Sequence, residues 1–176
     1  DAGVEYVAME ASSIGIEQGR MDGLQVKVAA FTNLTLDHLD YHQSMARYEA
    51  AKAALFVWPG LSHAIVNMDD EAGERIFAKT TAHARAGYSL KAAPQATFTA
   101  VEHEFRDYGL VFTLRTPGGD AQVTMRLLGE HSIANILLVV AVLDALGIHL
   151  RQSAGLVSLL TPVPGRLQTV TPASAD

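Results

Sequence analysis

Asn33, Thr35, Asp37, His38, Asp40 and His42 crowd into ten positions directly after the apolar run Val28-Ala29-Ala30-Phe31-Thr32. A short apolar run of that kind fills a sheet buried on both faces, and ligands of open α/β sheets bind in the crevice beyond the strands' carboxyl ends. The stretch therefore reads as an edge for phosphate and metal. Ser44 is placed to cap a helix running through Tyr48, Lys52 and Leu55, with Ala50, Ala51, Ala53 and Ala54 supplying helix propensity. Lys52 would then stand on a rigid element. The ordinary alternatives are a solvated Asp/His turn and a solvated surface lysine.

A second group of polar side chains follows Val4-Glu5-Tyr6-Val7-Ala8-Met9, which reads as a strand. Glu10, Ser12 and Ser13 lie at its end. A carboxylate there suits magnesium, a hard cation that takes oxygen donors, although a capping or solvated glutamate is the plain alternative. Gly15, Gln18, Gly19 and Arg20 continue as a polar, glycine-punctuated segment. Arg20 can fork onto a phosphate or simply face solvent.

The elements that must position these groups follow from periodicity and punctuation. Trp58-Pro59-Gly60 ends the Lys52 helix, and Ala64 to Asn67 forms a short buried strand. Asp69-Asp70-Glu71 opens a helix to about Lys79, its acidic triplet accounted for by the helix dipole and assigned no chemistry. Ala84 to Leu90 adds a strand. From about Ala96 to Leu128 the pattern alternates in three segments, separated by Asp107-Tyr108-Gly109 and Pro117-Gly118-Gly119, which predicts a small antiparallel meander. Gly129 to Asn135 leads into an apolar helix closed by Gly147. Asn135 either pairs with a purine edge or caps backbone groups. A further helix covers about Leu150 to Leu160, and Pro162 to Arg166 forms a rigid turn. The expected fold is α/β, a mostly parallel sheet flanked by helices with a small antiparallel subsheet.

At 176 residues and 49% hydrophobic content the chain can bury a substantial core as one domain. A net charge of -6 argues against general nucleic-acid binding but leaves room for a local cationic pocket. The absence of cysteine excludes disulfides, thiolate metal sites and cysteine nucleophiles, and fits the cytoplasm. Ile136 to Leu146 is too short for a membrane span of about 20 residues and carries Asp144. No GxxxxGK[ST] phosphate loop is present. The chain opens on Asp1 and is read as a piece of a longer protein.

Five segments in this order, MEASSIGIEQGR, FTNLTLDHLDYH, YEAAKAALF, GEHSIANILLVVAVLDALGI and PVPGR, closely resemble the Mur ligases. Within that family the likeness is strongest to the branch that adds the third residue of the peptidoglycan stem peptide, and it covers essentially the whole chain. It implies that residues 1–172 are most of a central ATP-binding domain, with 173–176 opening a linker to a further domain and the phosphate loop lying upstream. It also implies an ATP-dependent ligase that extends UDP-N-acetylmuramoyl-L-Ala-D-Glu with meso-diaminopimelate or L-lysine through an acyl phosphate, acting as a cytoplasmic monomer without nucleic acid or membrane. A piece of such an enzyme is expected to be inactive alone.

Carried over by position, the resemblance makes Glu10 and His38 magnesium ligands. Lys52 becomes a third once carbamylated, since carbon dioxide adds to the neutral amine and turns a cation into an oxygen-bearing anion. Ser12, Gln18 and Arg20 fall where the muramoyl dipeptide is contacted, Asn135 where adenine is, and Arg166 at an ATP phosphate. Ile14 departs from a common histidine and Ser132 from a common asparagine. The alternatives are another member of the superfamily, such as a folylpolyglutamate synthase, and a noncatalytic scaffold that kept the fold. The SSIGIEQGR segment favours the muramoyl-dipeptide branch.

Overall fold

Six strands form one sheet in the order in which they occur in the chain: β1 (Val28–Phe31), β2 (His63–Asn67), β3 (Ala84–Ser89), β4 (Ala96–Arg106), β5 (Gly109–Thr116) and β6 (Gly119–Met125). β1 to β4 run parallel and β4 to β6 antiparallel. The computed structural model describes residues 3–35, 39–106, 109–126 and 129–161.

The expected antiparallel meander is present, and it continues the parallel sheet through β3 and β4 instead of standing apart. Adjacent parallel strands normally need a crossover of a dozen or more residues. Here six residues, Leu90 to Gln95, suffice, because β4 pairs only its first residues with the end of β3 and then runs on beyond it. The β5–β6 turn closes on the Thr116–Gly119 pair, around Pro117-Gly118.

Alternation along the strands sorts the core into two layers. Ile65, Tyr88, Phe98, Leu110, Phe112 and Leu114 pack with α5 (Glu130–Ala145) and α6 (Leu150–Ser158). Ala29, Phe31, Ala64 and Val66 pack with α1 (Ser13–Glu17), α4 (Glu71–Lys79) and the 3-10 turn Ala54–Val57. α5 buries Ile133, Ile136, Leu137, Val140 and Ala141, spaced three and four apart on one face. Each large aliphatic among them contributes about 1.5–3 kcal/mol by burial. Gly147, at φ +82°, ends that helix as its punctuation predicts.

Two expectations are corrected. Val4 to Met9 forms no strand: it pairs with none of the described strands, and Val4, Tyr6, Val7 and Met9 are exposed. Strand propensity is realised only in a paired ladder, and this segment joins no described strand. β1 buries Ala29 and Phe31 in one layer and packs Val28 against the other, with Ala30 exposed, so its second face is covered only in part. Two short helices went unforeseen, α2 (Leu39–His42) and the five-residue α1, which Ser12 caps by accepting a hydrogen bond from Gly15 N at 3.0 Å.

Candidate functional site

The C-terminal end of β1 is tied down atom by atom. Tyr88 Oη donates to the Phe31 carbonyl at 3.1 Å, Asn67 Nδ2 to the Thr32 carbonyl at 2.7 Å, and Lys52 Nζ to the Asn33 carbonyl at 3.1 Å. Leu34 N–H donates to Asp70 Oδ2 at 2.9 Å. The tethers come from β3, the end of β2, α3 (Met45–Ala53) and the N-cap of α4. The strand ends of the parallel half thus converge on residues 31–34, the crevice where an open α/β sheet places its ligands.

Lys52 reaches this edge from α3, which Ser44 caps by accepting from Arg47 N at 3.3 Å, as the sequence predicts. Its Nζ lies 5.0 Å from the Tyr48 ring centre and 6.0 Å from that of Phe31. Aromatic faces and a carbonyl oxygen favour an ammonium. Unmodified, Lys52 therefore fits an anion such as phosphate and not a metal; an oxygen-bearing carbamate on the same stem would reverse that preference.

α1 is the second side of the site. Ser13 Oγ lies 2.9 Å from His42 Nε2, and Gln18 Nε2 donates to Tyr41 Oη at 3.3 Å, which holds α1 against α2 (Leu39–His42) and the start of α3. Ser12 at the N-cap of this helix and Gln18 and Arg20 just after it are exposed, as is Glu10 in the segment that enters it. Ser12 has a structural duty as the cap, while Arg20 keeps its guanidinium at the surface. His42 is wholly buried and so does not belong to the solvent-facing polar edge in which the sequence set it.

Asn135 lies beyond the first turn of α5, exposed, and Gly129 is the residue at the cap position. Capping is thereby ruled out for Asn135, and its amide faces outward. His38 and Arg166 lie outside the described residues, as does 173–176. Among the described residues no three histidine, aspartate or glutamate side chains gather as a metal cage. Of the expected metal donors, Glu10 is exposed in the segment entering α1 and Lys52 stands at the end of β1, where a carbamate would give it oxygen donors. A groove of about 490 Å³ between α3 and α4, lined by Ala50, Ala53, Arg75, Ile76 and Lys79, includes none of the candidate residues.

Sequence reasoning passed over Asn67, Asp70 and Tyr88, which tether the β1 edge, and Asp69 beside them. Asp70 does cap α4, accepting from Ala72 N and Gly73 N, as its dipole assignment implies, but its other oxygen holds Leu34. Asp69 accepts from Ser89 Oγ at 2.5 Å and from Leu90 N at 2.6 Å, fixing the end of β3. Tyr88 is buried, and burial first, then the carboxylates of Asp69 and Asp70, pushes its phenol well above the usual range. It remains a neutral donor to Phe31. Away from this edge, hydrogen bonds from Arg75 hold the Glu49 carboxyl below its usual value. No described helix is long and apolar enough to cross a membrane.

Residues 1–143 match the Mur ligase middle domain. The chain is 42% identical over 173 residues to the UDP-N-acetylmuramoyl-L-alanyl-D-glutamate--2,6-diaminopimelate ligase of Janthinobacterium sp. (strain Marseille), covering 94% of this chain and 34% of that protein. It is 44% identical over 168 residues to the ligase of the same name from Xanthomonas campestris pv. campestris (strain 8004), covering 95% of this chain and 34% of that one. The chain thus spans about a third of the length of these relatives. A solved structure of a ligase of that name superposes with a TM-score of 0.83 at 30% identity, over 93% of this chain and 34% of that one. A folylpolyglutamate synthase of L. casei superposes at 0.64 with 14% identity over 82% of this chain and 36% of that one, a likeness of fold alone.

Proposed function

The chain belongs to the Mur ligase family, and from that membership we propose that it is most of the central ATP-binding domain of a longer ligase that builds peptidoglycan precursors. The reaction joins the third stem-peptide amino acid to UDP-N-acetylmuramoyl-L-Ala-D-Glu. The γ-phosphoryl group of ATP passes to the D-Glu side-chain carboxylate, releasing ADP. The amine of the incoming amino acid then attacks the acyl phosphate, expelling phosphate as the amide forms. Such a site works by alignment and by neutralising phosphate charge, with no protein nucleophile.

The observation that carries this reading is the placement of Lys52. A capped helix delivers its Nζ to the tethered end of β1, where it donates to the Asn33 carbonyl. In this proposal Lys52 as a carbamate, Glu10 and His38 hold magnesium, which when bound neutralises the charge of the nucleotide phosphates. Ser12, Gln18 and Arg20 take the muramoyl dipeptide, Asn135 the adenine, and Arg166 an ATP phosphate. The outward amide of Asn135 supports its part, and the shared α1–α2 frame supports that of Ser12 and Gln18. The relatives' names favour 2,6-diaminopimelate over lysine as the incoming amino acid. The proposal extends to a cytoplasmic monomer, as the family resemblance implies.

The test is ATP-dependent phosphate release by the full-length enzyme with UDP-N-acetylmuramoyl-L-Ala-D-Glu and either amino acid, beside a Lys52→Ala control. Turnover with diaminopimelate that falls at least about a hundredfold in the control is expected, since the loss of a charge-stabilising group at a transferring phosphoryl costs that much. A folded, ATP-binding enzyme that turns over neither amino acid refutes the assignment. Undiminished activity in the control refutes the role of Lys52.

A further inference from the structure

His42 sits at the centre of a buried joint that the proposed chemistry leaves unused. Its Nε2 is 2.9 Å from Ser13 Oγ, one partner donating and the other accepting according to the ring's tautomer. Its Nδ1 faces Glu17 Oε2 at 3.3 Å without an aligned hydrogen bond. The ring stacks on Tyr48, with centres 5.1 Å apart and planes 20° from parallel, and meets Tyr41 edge-on at 4.9 Å. Tyr48 in turn lies under the ammonium of Lys52, one helical turn further on. A continuous series of contacts therefore runs from Ser13 through His42 and Tyr48 to Lys52.

The residue after His42 strengthens the case. Gln43 holds φ +63°, a left-handed conformation that costs a side-chain-bearing residue energy and persists only where its surroundings impose it. This strained turn joins α2 to α3, and the buried His42 ring on one side and the Ser44 cap on the other fix it. Short as it is, α1 has little stability of its own. Ile16 seats it in the core layer, and the bonds it makes to α2 and α3 fix how it is turned there.

We propose that His42 is a positioning residue that sets α1, with Ser12, Gln18 and Arg20, in register with the helix that carries Lys52. The proposal rests on the functional reading above, in which α1 takes the muramoyl dipeptide and Lys52 lies at the phosphoryl-transfer centre. It differs from a packing role in a specific way. Lys52 has an independent anchor in the Asn33 carbonyl and the Phe31 ring. Loss of the His42–Ser13 bond should let α1 shift on its remaining anchors, Ile16 in the core and the Gln18–Tyr41 bond, and leave Lys52 in place.

The experiment compares wild type, His42→Phe, His42→Gln and Ser13→Ala in the full-length enzyme, measuring kcat and KM for UDP-N-acetylmuramoyl-L-Ala-D-Glu and for ATP. His42→Phe keeps a ring against Tyr48 and removes both nitrogens; Ser13→Ala removes the facing oxygen alone. Each is expected to raise KM for the dipeptide about tenfold, the worth of one buried hydrogen bond, with kcat and KM for ATP within about twofold. His42→Gln, which restores a polar group towards Ser13, should recover most of the loss. An unchanged dipeptide KM in Ser13→Ala overturns the proposal, and so does a fall in kcat with a comparable rise in both KM values. Ser13→Ala decides the matter if His42→Phe does not fold. Wild-type turnover is scored first, so that a failed functional reading shows there, before any variant is compared.

Discussion

Removing the Asp70 carboxylate should destabilise the chain through two separable effects. One oxygen caps α4 through Ala72 N at 2.8 Å and Gly73 N at 3.3 Å, and the other accepts from Leu34 N at 2.9 Å across the β1 edge. Loss of an aspartate cap costs about 1 kcal/mol. A hydrogen bond to a charged acceptor is worth about 1.5–3 kcal/mol, and the lower end applies because Leu34 is half-buried and water can replace part of the contact. Asp70→Ala should therefore lose about 2.5–3 kcal/mol. Asp70→Ser keeps an oxygen at the cap but is too short to reach Leu34 as well, and should lose about 1.5 kcal/mol.

Urea unfolding followed by the fluorescence of Trp58, the single tryptophan, reads both. Its indole donates to the Leu24 carbonyl at 3.1 Å, so it reports the layer that holds α1, the 3-10 turn and α4. With a slope of about 2 kcal/mol/M, the midpoint should fall by about 1.3–1.5 M in Asp70→Ala and by roughly 0.7 M in Asp70→Ser. Hydrogen exchange at Leu34 N–H should quicken in both. A serine variant as stable as wild type would show the tether to be worthless, and one as unstable as alanine would show the same of the cap.

Tyr88→Phe should cost about 0.5–1.5 kcal/mol by leaving the Phe31 carbonyl without its donor. It should also flatten the alkaline limb of stability. In the unfolded chain Tyr88 loses its proton near pH 10, whereas in the folded chain burial keeps the phenol protonated to higher pH. Above about pH 10 the unfolded state binds fewer protons, so wild-type stability declines as pH rises; the variant lacks that term. The gap between the two proteins in urea midpoint should narrow from pH 8 to about 11, and a constant gap would contradict the burial argument. Gly73→Ala reverses the usual helix preference: alanine normally gains about 1 kcal/mol within a helix, but a Cβ at Gly73 would collide with the Asn67 carbonyl at the end of β2. A net loss of about 1–3 kcal/mol in the same assay is expected, and a gain would mean that α4 does not pack this closely.

Much of the fold was legible because its signals are local. Ser44, Asp70 and Gly147 mark helix ends by chemistry that acts within a few residues, and all three do so. The alternating run that becomes β4 to β6 declares itself through its own period and its Pro-Gly turn. Where the reading failed, the missing fact was a neighbour. Val4 to Met9 has the composition of a strand but pairs with no described strand, and the second face of the apolar β1 is covered only in part, through Val28. Composition records what a segment tolerates. Pairing decides what it becomes.

The same distinction divides the candidate site. Lys52 was legible because helix and cap place it, but the tethers that shape its surroundings join residues 31–34 to Asn67, Asp70 and Tyr88 through backbone atoms, across 35 to 57 positions. A carbonyl acceptor leaves no trace in residue type, so no motif could have exposed that ring of bonds. Nor could spacing tell a histidine that faces a ligand from one that holds the frame. His42 sits in a run of oxygen and nitrogen donors, yet its ring is enclosed by Tyr41 and Tyr48 and its nitrogen is directed to Ser13. Burial settles what the motif leaves open. A wholly enclosed imidazole cannot meet a solvent-borne nucleotide, so its bearing on catalysis must pass through the side chains it orients, and a shift in dipeptide KM without a shift in ATP KM is the form that influence should take.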